Sequence, residues 1–304
     1  MDINVEDIAR ILNAKRSGSQ WLARCPAHDD RDASFRFGVK DGKFLAHCYA
    51  GCTFEEIMIA LGLSEGFHVK SYKPERQEDY ARNRQKVSEL LARCTEAKDS
   101  PIVHAYFESR GIGRIVHDWP TGNGYSPVKF VDSLEYWDTD GDTPIVKGSF
   151  PCMVNIHSDE QGEIVSLHRT YLAYDGSGKA PVDKARKMMP ATRRKGAHGA
   201  AIKLYQPTDS LAVAEGIETA LAFRLLSGIP VWSCVSASGL ERIQIPRSVK
   251  HVYIVADNDR SGTGQRAAKT LLERIRHDHR VTVCTPREMG QDMLDAYNAI
   301  KLGN

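Results

Sequence analysis

Tyr253-Ile-Val-Ala-Asp-Asn-Asp259 is an apolar β-run stopped by two carboxylates, and Ser261-Gly262 behind it opens a helical pattern over 263–276. Upstream, Leu211-Ala-Val-Ala-Glu-Gly216 has the same form: Glu215 is the stop, and a helical pattern runs from Ile217 to Leu226. A strand that ends in an acid and turns through glycine into a helix puts that acid at the carboxyl edge of a parallel sheet. Open α/β sheets place their sites at that edge. Two further repeats follow, Val231–Val235 before a turn at Ser236–Gly239, and Val281–Cys284 before a helix from about Asp292 to Ile300. The alternation predicts a parallel sheet with helices on both sides. Strand-terminal Asp is also a common cap or turn former. With Glu215 on a neighbouring strand, however, the convergence of Glu215, Asp257 and Asp259 calls for a divalent cation, and hard oxygen ligands suit Mg²⁺. Asp292 reads either as a further acid of this set or as an N-cap.

A chain of 304 residues is long enough for two or three domains. Its net charge of +2 announces no polyanionic partner, so local clusters must carry any such reading. No apolar run approaches the ~20 residues of a membrane span. Met1-Asp-Ile-Asn-Val-Glu-Asp7 lacks the regions of a signal peptide, so a soluble cytoplasmic protein is expected. In a reducing compartment an odd set of seven cysteines points to metal binding rather than disulfides.

Three of those cysteines stand apart. Cys25-x2-His28, nineteen residues, then Cys48-x3-Cys52 is the layout of a closed tetrahedral structural zinc site. Ser34–Val39 and Phe44–His47 alternate like strands around Asp41-Gly42, a hairpin that returns the second pair to the first. Thr53-Phe-Glu-Glu56 is a capping box that starts a helix through Leu61. His47 abuts Cys48 and competes with His28 for the fourth position. Trp21, Phe35, Phe37, Phe44 and Tyr49, interleaved with Arg24, Arg31, Arg36 and Lys43, either stack on single-stranded nucleic acid or fill the small core.

From Ser64 to Glu78 the chain reads as a tether, and Arg82 to Arg93 as an amphipathic helix with an excess of basic residues. Pro101 opens a helix over 102–110 that Gly111 stops. Residues 119–146 give no periodicity, whereas 151–156 and 163–172 read as strands. A basic stretch follows: Lys179, Lys184, Arg186, Lys187, Arg193, Arg194, Lys195 and Lys203. Placed just before an acidic metal site, it suits a triphosphate or polyanion, although a solvated loop has the same composition. Gly176-Ser-Gly-Lys179 is not a phosphate loop, because Ala173 and Ala180 stand where Gly and Ser or Thr are required.

Glu215-Gly-Ile-Glu-Thr-Ala-Leu221, Asp257-Asn-Asp259 with Ser261-Gly262, and Gly290-Gln-Asp292, in that order, resemble the Toprim domain of bacterial-type primases, type IA and type II topoisomerases and some nucleases. Cys25-Pro-Ala-His28 with Cys48-Tyr-Ala-Gly-Cys52 resembles the CHC2 zinc-binding domain at the front of bacterial and phage primases. The combination resembles primases of phages, plasmids and mobile elements, and His168–Leu172 through Met188 is similar to the segment before Toprim in that group. Two departures point away from a housekeeping enzyme: Thr219 stands where an acid is usual, and the second zinc pair is x3 rather than x2.

The resemblance implies an α/β chain: a small N-terminal zinc ribbon domain (1–64), a basic linker with a helix (65–100), and a primase-like core. In the core, a nucleotide- and template-binding part (101–205) precedes a Toprim parallel-sheet domain (206–304). It implies a DNA primase that makes short RNA primers on single-stranded DNA from ribonucleoside triphosphates in a bacterial host cell, with a replicative helicase as partner. One structural Zn²⁺ would be held by Cys25, His28, Cys48 and Cys52. Catalytic Mg²⁺ or Mn²⁺ would be held by Glu215, Asp257, Asp259 and Asp292, the first three being catalytic. Arg169, Lys179, Lys184, Lys187, Arg193 and Arg194 would bind nucleotide and template. The alternatives are a Toprim-type nuclease and a non-catalytic nucleic-acid-binding accessory.

Overall fold

The computed structural model describes residues 5–18, 20–30, 32–40, 43–63, 77–119, 126–140, 143–193 and 196–303. The chain divides into two compact units, Met1–Arg76 and Gln77–Asn304.

In the first unit, α1 (Val5–Ile11) precedes β1 (Lys15–Ser17), β2 (Gln20–Ala23), β3 (Phe35–Lys40) and β4 (Lys43–Cys48), and α2 (Phe54–Ala60) follows. The strands form one antiparallel sheet in chain order. Lys40 pairs with Lys43, as the expected hairpin requires, while Asp41 and Gly42 themselves lie outside the described residues. Register sets what comes together. Ala23 at the end of β2 and Cys48 at the end of β4 both flank Phe35, so the loops leaving those strands start at one end of the sheet. Thr53 and Glu56 form the reciprocal capping box of α2. Phe35 and Phe37 stack with ring centres 4.9 Å apart, and Phe44, Ile57 and Met58 join them in the core. The three phenylalanines therefore fill this small core rather than offering a stacking surface. Tyr49 is exposed, and the Arg16 guanidinium lies over the half-buried Trp21. Arg31 and the Lys43 side chain lie outside the described residues.

The second unit begins with α3 (Gln77–Ala92), β5 (Thr95–Glu96) and α4 (Pro101–Ser109), then β6 (Val128–Asp140), β7 (Thr143–Ser158), β8 (Ile164–Tyr171) and β9 (Arg186–Met188). The five strands make an antiparallel sheet in chain order. The helix expected within a linker is α3, and its Val87 and Leu90 pack against Leu134, Val154, Leu167 and Tyr171. It belongs to this unit's core; residues 64–76 lie outside the described residues. β6 and the start of β7 occupy the segment that shows no periodicity. Their register slips between Val131 and Leu134 and again between Glu135 and Trp137. Each slip swaps the faces of the side chains, which erases a period of two from the sequence.

The rest is β10 (Ser210–Ala214), α5 (Ile217–Ser227), β11 (Val231–Ser233), α6 (Ala237–Arg242), β12 (His251–Val255), α7 (Thr263–Ile275), β13 (Arg280–Cys284) and α8 (Met293–Lys301). The strands are parallel in the order β11-β10-β12-β13. Leu221 and Phe223 of α5 share one core with Leu294 of α8, whereas Leu240 of α6 and Leu271 of α7 belong to the core on the other face. The strand order thus reverses between β10 and β12, and the connections leaving them part to opposite faces. Residues Ala201 and Ile202 join the two sheets: Ala201 exchanges backbone hydrogen bonds with Ser158 at 3.0 Å, and Ile202 with Ser233 at 2.8 and 3.0 Å.

Phe107 of α4 is fully buried, with its ring centre 5.7 Å from that of Tyr106 and 5.6 Å from that of Trp119. Phe107→Ala is expected to destabilise the second unit by about 3–5 kcal/mol. A lowered urea midpoint with unchanged zinc content would register it.

Candidate active site and zinc cluster

Glu215 follows β10 and Asp257 follows β12, so both stand at the topological switch point of the parallel sheet. Three devices bring the other acids to them. Asn258 ties the loop after β12 to the loop before α8: its N–H donates to the Gln291 carbonyl at 3.0 Å, its carbonyl accepts from Gly290 at 2.6 Å, and its Nδ2 donates to Pro286 at 3.1 Å. That stitch places Asp292 beside Asp257. Gly264 lets the first turn of α7 close on the acidic loop, since a Cβ there would lie 3.1 Å from the Asp257 carbonyl. Asp259 accepts from the Ser261 hydroxyl and, at 3.2 Å, from the Gly264 N–H.

The charges respond to this crowding. Burial, then Asp292, Glu215 and Asp259, push Asp257 up to about 6. Burial also raises Glu215, with Arg186 opposing and Asp259 adding to it. Asp259 alone of the three is lowered, chiefly by the Ser261 hydroxyl. Asp292 is raised by burial, and it is also the N-cap of α8, in a capping box with Asp295. Asp292 is therefore an N-cap whose charge also reaches Asp257. Oδ1 of Asp257 is buried and accepts no hydrogen bond from the described residues. Hard, mutually repelling oxygens with one lone acceptor fit a divalent cation. The set is open rather than closed: among the described residues, the acids do not bring three ligand atoms within 4.8 Å of one another. Mg²⁺, which keeps several waters, tolerates such a set.

Glu215 forms one wall of a cleft that Met153, His168, Thr170, Arg186, Glu218 and Val235 also line. Arg186 pairs with Thr170, and Thr170 with Met153, so strand alternation turns all three into the cleft that Glu215 lines. Arg169 and Lys187, which pair with each other, sit on the opposite face. There Arg169 bonds the Tyr171 hydroxyl and the Met188 carbonyl, and the Lys187 ammonium lies 4.0 Å from the Tyr136 ring centre. A sequence cluster of basic residues carries no face; the strand supplies it. Arg186, part of the basic stretch but not of the expected nucleotide-binding set, is the basic residue that lines the cleft. Arg193 is bound to Asp159 and to the carbonyls of Gly196 and His198, Lys184 is exposed, and Arg194 lies outside the described residues.

Glu218, one position before Thr219, does not replace the missing acid. Its carboxylate accepts from the buried Tyr106 hydroxyl and sits 3.1 Å from Lys179 Nζ. Desolvation works against its charge, but Lys179, Tyr106 and Arg186 outweigh it and hold Glu218 ionised. His168 is driven down to about 4 by burial and then by Arg186, so it is neutral in the cleft wall. Val235 has a left-handed φ of 68°, which a β-branched residue adopts only under constraint. Its N–H donates to the Glu215 carbonyl at 2.8 Å, and the Ser233 hydroxyl donates to the same oxygen at 2.9 Å.

In the first unit, the ligand atoms of Cys25, His28, Cys48 and Cys52 lie within 4.8 Å of one another. His28 is thus the fourth member. His47 precedes Cys48 on β4 and so takes the other face, where its ring meets Tyr49 edge-on. Burial pushes the Cys25 thiol up to about 12 and raises Cys52 as well, whereas Cys48, buried too, is lowered by hydrogen bonds from the Cys52 and Ala50 backbone and from Ser34, and a bound cation would favour the thiolate form of all three. Three soft sulfurs and one imidazole match zinc.

Residues 210–299 match the Toprim domain family. The C-terminal part of the chain is a Toprim domain. Residues 81–199 match a domain of unknown function, DUF7146. The chain is similar to a DNA primase of Thermotoga maritima, 25% identical over 326 residues that cover 93% of this chain and 55% of the relative, so it spans about half of that protein's length. Among solved structures, a DnaG primase catalytic domain bound to single-stranded DNA is 14% identical, with a TM-score of 0.48 over 72% of this chain and 78% of the other. The zinc-binding and RNA polymerase domains of the Aquifex aeolicus primase are 16% identical, with a TM-score of 0.41 over 99% and 80%. No helix among the described residues is long and apolar enough to cross a membrane.

The proton affinity of Asp257 has a sign that can be checked. Its folded pKa of about 6 lies above the ordinary value, so the folded chain holds this proton more tightly, and stability falls as pH rises through the window from about 4 to about 6. In magnesium-free buffer, Asp257→Asn is expected to melt several degrees above the parent near pH 7.5 and to match it below about pH 4. Added Mg²⁺ should raise the parent's melting temperature and leave the variant's nearly unmoved.

Proposed function

We propose that the chain is a DNA primase, a metal-dependent nucleotidyltransferase that makes short RNA primers on single-stranded DNA from ribonucleoside triphosphates. The observation that carries this reading is the cleft itself: Glu215, which belongs with the acids of a Toprim domain, on one wall and Arg186 on the other. Acids without an opposing cation suit metal binding alone; the pair suits a metal–triphosphate substrate. Similarity to a DNA primase over most of the chain and a zinc-type cluster in a separate unit support it.

When bound by Asp257, Asp259 and Glu215, with Asp292 beside them, Mg²⁺ or Mn²⁺ would stabilise charge on the attacking and leaving oxygens. Arg186 would take phosphate oxygens, to which a guanidinium binds in a two-pronged fashion. Lys179, neutralised by Glu218, would keep its ammonium at the cleft edge. In place of metal binding, Glu215 would accept the proton of a primer 3′-hydroxyl at a carboxylate oxygen, a role its raised proton affinity suits. The zinc unit would engage the template. Thr219 and the x3 zinc pair support a place in phage, plasmid or mobile-element replication, with a helicase supplied by another protein.

Incubation with labelled ribonucleotides, Mg²⁺ or Mn²⁺ and a panel of single-stranded templates should give short products. Asp257→Ala with Asp259→Ala should reduce them at least about 100-fold. Arg186→Ala should raise KM for the nucleotide at least about tenfold, from the loss of its charged hydrogen bonds to phosphate. Undiminished incorporation by the double variant would overturn the assignment, and template cleavage without incorporation would make the chain a nuclease.

A further inference from the structure

The loop between Cys25 and Phe35 has at its centre an acid outside the ligand set. The Asp30 side chain is 7% exposed. Its Oδ2 accepts the Cys25 N–H at 2.5 Å, the Ser34 N–H at 3.2 Å and the Ser34 hydroxyl at 2.6 Å. Its Oδ1 lies 3.4 Å from Nε2 of His28. The other ring nitrogen of His28, Nδ1, is turned into the sulfurs, 3.1 Å from Cys52 Sγ and 3.9 Å from Cys48 Sγ. The Ser34 hydroxyl also stands 3.6 Å from Cys48 Sγ.

A neutral imidazole carries one N–H, and the partner of that N–H decides which nitrogen is left bare for a metal. A carboxylate only accepts, so Asp30 calls for the hydrogen on Nε2. The lone pair of Nδ1 then faces the sulfurs. A tetrahedral zinc with bonds of about 2.3 Å to sulfur and 2.0–2.1 Å to nitrogen has N···S edges of about 3.6 Å. The two observed distances straddle that value.

We propose that Asp30 is the positioning residue of the zinc centre: it fixes His28 as the Nε2–H tautomer, so that Nδ1 takes the metal, and the same carboxylate ties down the Cys25 amide and Ser34. One side chain thereby serves ligands from both halves of the cluster. Cys25 and His28 share its loop, and Ser34 reaches across to Cys48. The assignment concerns the zinc unit and holds whatever reaction the Toprim acids perform.

Two measurements on the full chain test it. Zinc affinity, read by competition with a chromophoric chelator, should fall about 10–100-fold in Asp30→Ala. Asp30→Asn, with one acceptor oxygen in place of two, should lie between this variant and the parent, and Ser34→Ala should lose less than about tenfold. In the isotope-labelled parent, a long-range proton–nitrogen correlation spectrum should show His28 metal-bound at Nδ1 and protonated at Nε2. A fold defect alone would not move that signature. Metal-bound Nε2 in the parent, or an Asp30→Ala affinity within about twofold of it, would overturn the proposal. Should Asp30→Ala fail to fold, the tautomer of the parent decides alone.

Discussion

Carboxylates held together against their own repulsion are the constraint on which the second unit's site rests. Glu215, Asp257 and Asp292 all carry raised proton affinities, and burial is the largest cause in each. Nothing in a folding chain favours that arrangement for its own sake. The surrounding structure enforces it: parallel strands fix the positions of Glu215 and Asp257, the backbone of Asn258 fastens a distant loop beside them, and a side-chain-free Gly264 lets α7 approach. Arg186 offsets part of the repulsion from across the cleft.

The two units solve the same problem differently. In the first, sulfurs and an imidazole draw close enough to enclose an ion. In the second, the oxygens stay farther apart, and Oδ1 of Asp257 accepts no hydrogen bond from the described residues. Closed coordination suits a structural ion, whereas open coordination leaves room for substrate. Glu218 shows how the cleft discriminates between acids only three positions apart on the chain. Glu215 faces the other acids, and Glu218 is saturated by Tyr106 and Lys179.

Much of this was legible in the chain. The strand–acid–glycine–helix pattern located Glu215 and Asp257 at strand ends, the Cys and His spacing marked the zinc cluster, and the Thr53–Glu56 capping box marked the start of α2. What stayed hidden was long-range or face-dependent. The β6–β7 hairpin carries bulges that scramble its alternation. Arg186 and Lys187 are neighbours of like charge, and only pairing with β8 tells which one meets the acids. Asn258 looks like a spacer between two acids until the loop before α8 arrives. The choice between His28 and His47 was closer to hand: once Cys48 faces inward on a strand, His47 faces outward.

Val235 has a consequence for motion. A β-branched residue held at φ 68° carries strain on the order of 1–3 kcal/mol, and its N–H is one of the two bonds on the Glu215 carbonyl. Opening this turn releases that strain, so it takes less free energy than opening a comparable unstrained turn. The backbone of Glu215 is therefore tethered to a strained turn. Loosening the Val235 turn at the end of β11 would free one of the two bonds that hold the Glu215 carbonyl.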